Sequence, residues 1–296
     1  MTMKPPLTHR RCSTSQGFTQ TDLITCIAVT VVLAALGASA LSSSKDNVSR
    51  MVCGRNMRQL ALAGGMYACD NQDYLPFCNF DGGDGVDPAP GWLYTLPVPK
   101  TLIGGGQDVI PDPFLTPWNT NHATSVGDLP DSAWQSGVYF HYVSSHEAYL
   151  CPTDIQSRDW VAEPRSAAGP GRNNKLCSYT MNGASFNYGS PPTTCKVSDV
   201  WNPDCYLLWE VDENVEGPGA PGTFSFNDGA SIPSVPPNGD EGLGSLHGNN
   251  GGEVVTVGGN VNFVTLSAFN AQSQNPGSGP GGKSLAWWAP SASNGQ

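Results

Sequence analysis

The sequence predicts an α+β chain: a long N-terminal spine helix, hydrophobic in its first half, leads into a loop-rich head with a small antiparallel sheet. Three observations predict it. The stretch from Leu23 to Leu41 carries no charged residue. The segment that follows, to Cys69, keeps apolar residues at helical spacing. Beyond residue 70, nearly all of the 25 prolines and most of the 35 glycines punctuate short apolar runs. Charged residues make up only 13% of the chain, too few to solvate many long surface helices.

The uncharged run lies near the lower end of the length needed to cross roughly 30 Å of hydrocarbon as a helix. Its interruptions, Thr25, Cys26, Thr30, Gly37 and Ser39, are small enough to pack against a neighbouring helix. A secretory signal peptide is the alternative, since Lys4, Arg10 and Arg11 precede the run and "ALGASA" resembles a small-residue cleavage site. The run is longer than the usual core of a signal peptide, which favours a retained helix. Cations flank it on both sides, with Lys45, Arg50, Arg55 and Arg58 following closely, so charge asymmetry does not orient it. A carboxylate at the edge of such a helix is costly unless it stays in water or finds a partner, which makes Asp22 a functional candidate.

The residues "GFTQTDLITCIAVTVVLAAL" resemble the prepilin signature of type IV pilins and type II secretion pseudopilins. That signature is a short basic leader ending in Gly, then Phe, three further residues, an acid and a long apolar helix. The resemblance implies cleavage between Gly17 and Phe18 by a prepilin peptidase, N-methylation of Phe18, and a role for Asp22 in assembly against a neighbour's amine. The family has Glu at that position; this chain has Asp, one methylene shorter. It further implies a pilin-like fold and a structural subunit of a type II secretion pseudopilus or type IV pilus-like filament. The implied partners are other copies, other pseudopilins, the peptidase, an inner-membrane assembly platform and membrane lipid. The implied location is the bacterial inner membrane, single-pass, with the head in the periplasm or on the cell surface.

After Ser44 the pattern becomes amphipathic. Val48, Met51, Val52, Leu62 and Met66 fall on one face and Cys53, Leu60 and Tyr67 on a second. One face is expected against the head and the other against neighbouring subunits, and "DNQDYLP" ends the helix with turn formers and proline. A helix from Phe18 to Cys69 would be roughly 75 Å long at about 1.5 Å per residue. Four runs read as strands: "GVYFHYV" (137–143), "CYLLWEV" (205–211), "GEVVTVG" (252–258) and "VNFVTL" (261–266). Stretches 97–133 and 212–245 read as long excursions, and 270–284 is linker-like in composition. The expected organisation is a leader at 1–17, an assembly helix at 18–44, its amphipathic continuation at 45–69, the head at 70–269 and a Gly/Ser/Pro-rich tail at 270–296.

A second set of blocks, "CGRNMRQLALAGGMYACDNQDYLP", "YLCPTD", "CSYTMNG" and "LHGNNGGEVVTVGGNVNFV", resembles pseudopilin-like proteins of planctomycete and verrucomicrobial bacteria. Those proteins carry a C-terminal motif of His, nine residues, then Asp-Gly. Here His247 leads to Val257-Gly258, so the motif keeps its His and its Gly and lacks its Asp.

The net charge of −11 and pI near 4.7 argue against nucleic acid as a partner, because phosphate binding needs a concentrated basic face. No G-x-S-x-G, H-E-x-x-H, phosphate loop or dinucleotide fingerprint occurs, so no enzymatic activity is expected. Asp81, Asp84 and Asp87 in "DGGDGVD" offer oxygen ligands on a flexible loop, a calcium candidate without EF-hand spacing and weighed against a solvated acidic turn. The nine cysteines show no zinc-type spacing and read as disulfide formers outside the cytoplasm. Cys151 with Cys177 is one allowable pair, as are Cys69 with Cys78 and Cys195 with Cys205. The eight tryptophans read as core or interface before carbohydrate platforms. A membrane-tethered or secreted binding module, glycans being one ligand class, is the competing functional expectation.

Overall fold

The computed structural model describes residues 17, 19–79, 91–95, 132–157, 176–189, 194–211, 229–233, 242–247, 250–274 and 277–296, with side chains 37–45 and 132–133 outside the description. The chain divides into two compact units, Met1–Lys45 and Asp46–Gln296. The helix α1, Gln20–Asp70, contributes its first part to one unit and its second part to the other.

In the first unit, α1 begins with a reciprocal cap. The Thr19 amide donates to Asp22 Oδ2 at 2.9 Å and the Asp22 amide donates to Thr19 Oγ1 at 3.3 Å, which satisfies two donors that the first turn leaves without partners. Thr25 and Thr30 turn their hydroxyls back to the carbonyls of Thr21 and Cys26. Among the described residues, no helix is long and apolar enough to cross a membrane. The hydrophobic spine is therefore not shown, and this does not fit a single-pass membrane location.

In the second unit, a five-stranded sheet has the order β3-β1-β2-β4-β5. The strands are β1 Tyr179–Asn182, β2 Tyr206–Glu210, β3 Ala230–Ser231, β4 Gly251–Thr256 and β5 Val261–Thr265. The sheet is mixed, which corrects the antiparallel expectation. β1–β2, β2–β4 and β4–β5 run antiparallel, but β3 pairs parallel to β1 through Met181↔Ala230 and Asn182↔Ser231. Two residues, Ala-Ser, carry no alternation to read. What holds β3 is long-range: the Met181 amide and Trp92 Nε1 both donate to the Gly229 carbonyl, and the Thr180 and Ser231 hydroxyls meet at 2.7 Å.

One face of the sheet receives the second part of α1. Cys53, Met57, Leu60, Ala61 and Ala63 are buried at i, i+3/i+4 spacing, against Tyr179, Met181, Leu208 and Val255. The other face carries Trp209 and Val254 under Phe269 of α2, Leu266–Gln272, with Leu243 and Ala286. A bulge between Tyr206 and Leu208 resets the alternation of β2, so that Leu208 and Glu210 share the α1 side while Trp209 faces away. Asn56 fixes the next segment to the helix, its Nδ2 donating to the carbonyls of Glu147 and Leu150 at 3.0 Å each.

Two further expectations are corrected. The run 137–143 is not a strand: Val138 and Tyr139 bond to the Gly91 and Trp92 carbonyls, then Phe140–Val143 closes a single helical turn stopped by Ser144 at φ 56°. The tail is not a linker in its described part. Within 270–284, Ser284 Oγ donates to the Gln272 carbonyl and the Ser273 carbonyl accepts from Trp287 Nε1, and beyond it Trp288 is fully buried and donates to the Tyr206 carbonyl.

Candidate metal centre

Four side chains from four separate stretches of sequence meet under α1. Cys53 lies on the helix face that the sheet covers, three residues after Arg50 and three before Asn56. Cys151 starts the loop that Asn56 pins, and its amide donates to Ser178 Oγ at 2.9 Å. Glu210 is the last residue of β2, pointed inward by the register that follows the bulge. His247 comes from the turn before β4. Their ligand atoms all lie within 4.8 Å of one another, and all four residues are buried.

The contacts converge on one nitrogen. His247 Nε2 is 3.0 Å from Glu210 Oε1 and 3.5 Å from Cys151 Sγ. The second carboxylate oxygen, Glu210 Oε2, accepts the Glu253 amide at 2.8 Å. Glu253 in turn pairs with Arg50 at 2.7 Å, and the Arg50 guanidinium lies 3.9 Å over the Phe263 ring, directly across the β4–β5 ladder from Glu253. Helix, sheet and loop therefore hold the cluster from outside as well as within.

The protonation pattern follows from the neighbours. Burial, then the hydrogen bond with Cys151 and the Glu210 charge, push the Cys53 thiol far up. Burial alone would raise Cys151 too, but hydrogen bonds from Cys53 and His247 outweigh it and bring that thiol down to about 7. Burial works against the His247 cation; its bonds to Cys151 and Glu210 overcome this and raise it to about 10.

A cysteine, a histidine and a carboxylate invite comparison with a nucleophilic relay, and the geometry argues against one. A relay uses one ring nitrogen for the nucleophile and the other for the orienting carboxylate. Here both partners address Nε2, so the second ring nitrogen is not the one held by the carboxylate. The arrangement suits coordination of a single central ion.

The residues singled out from sequence are distributed unevenly. His247 and Cys151 enter the cluster. Cys151 is a free thiol, so the Cys151–Cys177 bridge is not formed, and Cys177 Sγ instead accepts the Tyr179 amide at 3.3 Å. Gly258 is exposed in the β4–β5 turn, its amide donating to the Pro203 carbonyl. Gly17 is exposed; Phe18 and the calcium candidates Asp81, Asp84 and Asp87 lie outside the described residues. Asp22 is exposed, and hydrogen bonds from Thr19 hold its carboxyl below the ordinary range. Of the described tryptophans, Trp92, Trp134, Trp209, Trp287 and Trp288 are buried and Trp201 is half-buried, so they build core in place of a ligand platform.

Sequence reasoning missed Glu210 and placed Cys53 only as a helix-face residue. One signal for Glu210 was present: a lone carboxylate inside "CYLLWEV", a run that otherwise reads as a fully buried strand. The class of protein defined so far is a mixed-sheet domain clasped to a helix around a closed cluster of two cysteines, a histidine and a glutamate. Comparison with family models, curated proteins and solved structures returns no match.

Proposed function

We propose that this chain is a structural subunit that self-associates through its N-terminal helical segment after removal of the leader at Gly17. The observation that carries the reading is apolar exposure on every side of one helical stretch. Leu23, Ile24, Ile27, Val29, Val31, Val32 and Leu33 are all 52–63% exposed. At about 100° per residue these positions surround the helix and do not line one stripe, and a helix apolar all round is stable only when enclosed. Copies of the same segment supply that enclosure without requiring a membrane-crossing length.

The second unit supports the reading independently. Val48, Met51, Leu62 and Met66 form an exposed apolar stripe on the face of α1 opposite the core. The sequence expected one of the two apolar faces of this segment to meet neighbouring subunits, and this is the face left uncovered by the core. A pseudopilus or pilus-like filament, processed by a prepilin peptidase with the head in the periplasm or on the cell surface, is the assembly that the N-terminal residues resemble. Asp22 keeps its carboxylate in this reading, first as the partner of Thr19 and then facing a neighbour's amine. The closed cluster in the head has a fastening role and no catalytic one.

The test is mass spectrometry of the mature N-terminus, combined with sedimentation of the native protein. A chain that starts at N-methylated Phe18 and sediments as a large assembly, lost on deletion of 18–44, is the expected result. A monomer starting after Ala38 or Ala40 would overturn the proposal in favour of a secreted binding module.

A further inference from the structure

We infer that Cys53, Cys151, Glu210 and His247 bind one tetrahedral divalent ion of the zinc class, and that this ion fastens α1 to the sheet. The inference is independent of self-assembly.

Geometry carries it first. A tetrahedral ion with bonds of about 2.3 Å to sulfur and about 2.0 Å to nitrogen or oxygen separates its ligand atoms by roughly 3.3–3.8 Å. The His247–Cys151 edge is 3.5 Å and the His247–Glu210 edge 3.0 Å, and no pair in the set exceeds 4.8 Å. Small side-chain adjustments suffice to seat an ion. The convergence of Glu210 Oε1 and Cys151 Sγ on a single nitrogen is the geometry of ligands sharing one centre.

Donor chemistry selects the ion. Two sulfurs and an imidazole with one carboxylate form a soft to borderline set that favours zinc and its tetrahedral relatives over calcium or magnesium, which require a shell of oxygens. Four protein ligands leave no open position, which marks a structural site. The outer supports are those that a structural site uses: the Glu253 amide on Glu210 Oε2, and the Ser178 hydroxyl on the Cys151 amide.

A Cys53–Cys151 disulfide is the competing use of the two sulfurs. It would leave a carboxylate and a histidine buried beside the bridge with no role for their shared focus on the sulfur side. An ion uses all four groups, and coordinated thiolates are shielded from oxidation in an exported head.

The experiment is a cobalt(II) titration of the full chain, purified with reductant and without chelator. One equivalent should bind, giving the intense visible absorption of tetrahedral cobalt and a thiolate-to-cobalt charge-transfer band, both bleached by zinc. Cys53→Ser and Cys151→Ser should each lose charge-transfer intensity, while Cys69→Ser, altering an exposed thiol outside the cluster, should keep it. Glu210→Gln, checked for folding by far-UV circular dichroism, should retain the charge-transfer band with affinity at least tenfold weaker. No uptake by the reduced protein, a pale octahedral spectrum, or a band unchanged in Cys53→Ser would overturn the assignment. Peptide mapping that finds Cys53 bridged to Cys151 in metal-replete protein would do the same.

Discussion

Replacing Glu210 with Gln asks whether the buried carboxylate and imidazole act as a charged pair in the metal-free protein. The Glu210 and His247 side chains are 0% and 2% exposed and 3.0 Å apart, well away from the solvent that limits surface ion pairs to about 1 kcal/mol or less. Gln preserves the shape and leaves an oxygen for the Glu253 amide; what disappears is the negative charge facing Nε2. Removing one partner of a buried pair costs about 3–5 kcal/mol when the other stays charged. His247 can shed its proton instead, so the expected loss is about 2–3 kcal/mol near pH 6. The sign of the pH dependence follows from the direction of the shift. The folded pKa of His247, about 10, lies above its ordinary 6.5. Its contribution is therefore fully present below the ordinary value and lost as pH rises through the folded one. Urea denaturation with chelator and reductant, repeated near pH 6 and near pH 10, reads this directly. The gap between wild type and variant should be widest at the acidic end and close toward the alkaline end. Equal midpoints near pH 6, or a gap that widens with pH, would refute the charged pair.

Four further outcomes are expected. Leu60→Ala removes a fully buried side chain between α1 and the sheet and should cost about 2–5 kcal/mol in chemical denaturation. Gly251→Ala drives a Cβ into the Val264 carbonyl oxygen; β5 must shift, so thermal unfolding should show a loss of about 1–3 kcal/mol. Cobalt affinity should fall as pH falls, because the thiol and imidazolium protons must leave before the ligands bind. Zinc at about 100 times its dissociation constant should raise unfolding free energy by about 2.7 kcal/mol, and a flat pH profile or an unchanged melting temperature would count against the ion.

The elements were legible in proportion to how local their causes are. Spacing along 45–69 identified two apolar faces, and the structure buries the one bearing Cys53 and Leu60 while leaving Val48, Met51, Leu62 and Met66 exposed. "CYLLWEV", "GEVVTVG" and "VNFVTL" became β2, β4 and β5 because β-branched and aromatic runs between turn residues have few other ways to bury themselves. The run at 137–143 has the same look and went elsewhere, because the Val138 and Tyr139 amides donate to the Gly91 and Trp92 carbonyls and the chain then closes a helical turn at Phe140–Val143. The polar stretch 270–284 misled for a related reason: composition suggested a linker, yet "AWWA", just after it at 286–289, is buried and holds it against the domain.

By itself, the sequence determined an acidic, glycine- and proline-rich chain, a helix with Asp22 near its start, its amphipathic continuation, and three of the strands. These depend on spacing and on neighbours a few residues apart. Only the tertiary structure decided the parallel docking of β3 and the meeting of Cys53, Cys151, Glu210 and His247. In sequence, 96 positions separate Cys151 from His247 and 37 separate Glu210 from His247, so no local motif announces the cluster. A metal-type focus arises there because the bulge in β2 turns Glu210 toward the helix, the register of α1 turns Cys53 toward the sheet, and the two loops close on the space between them.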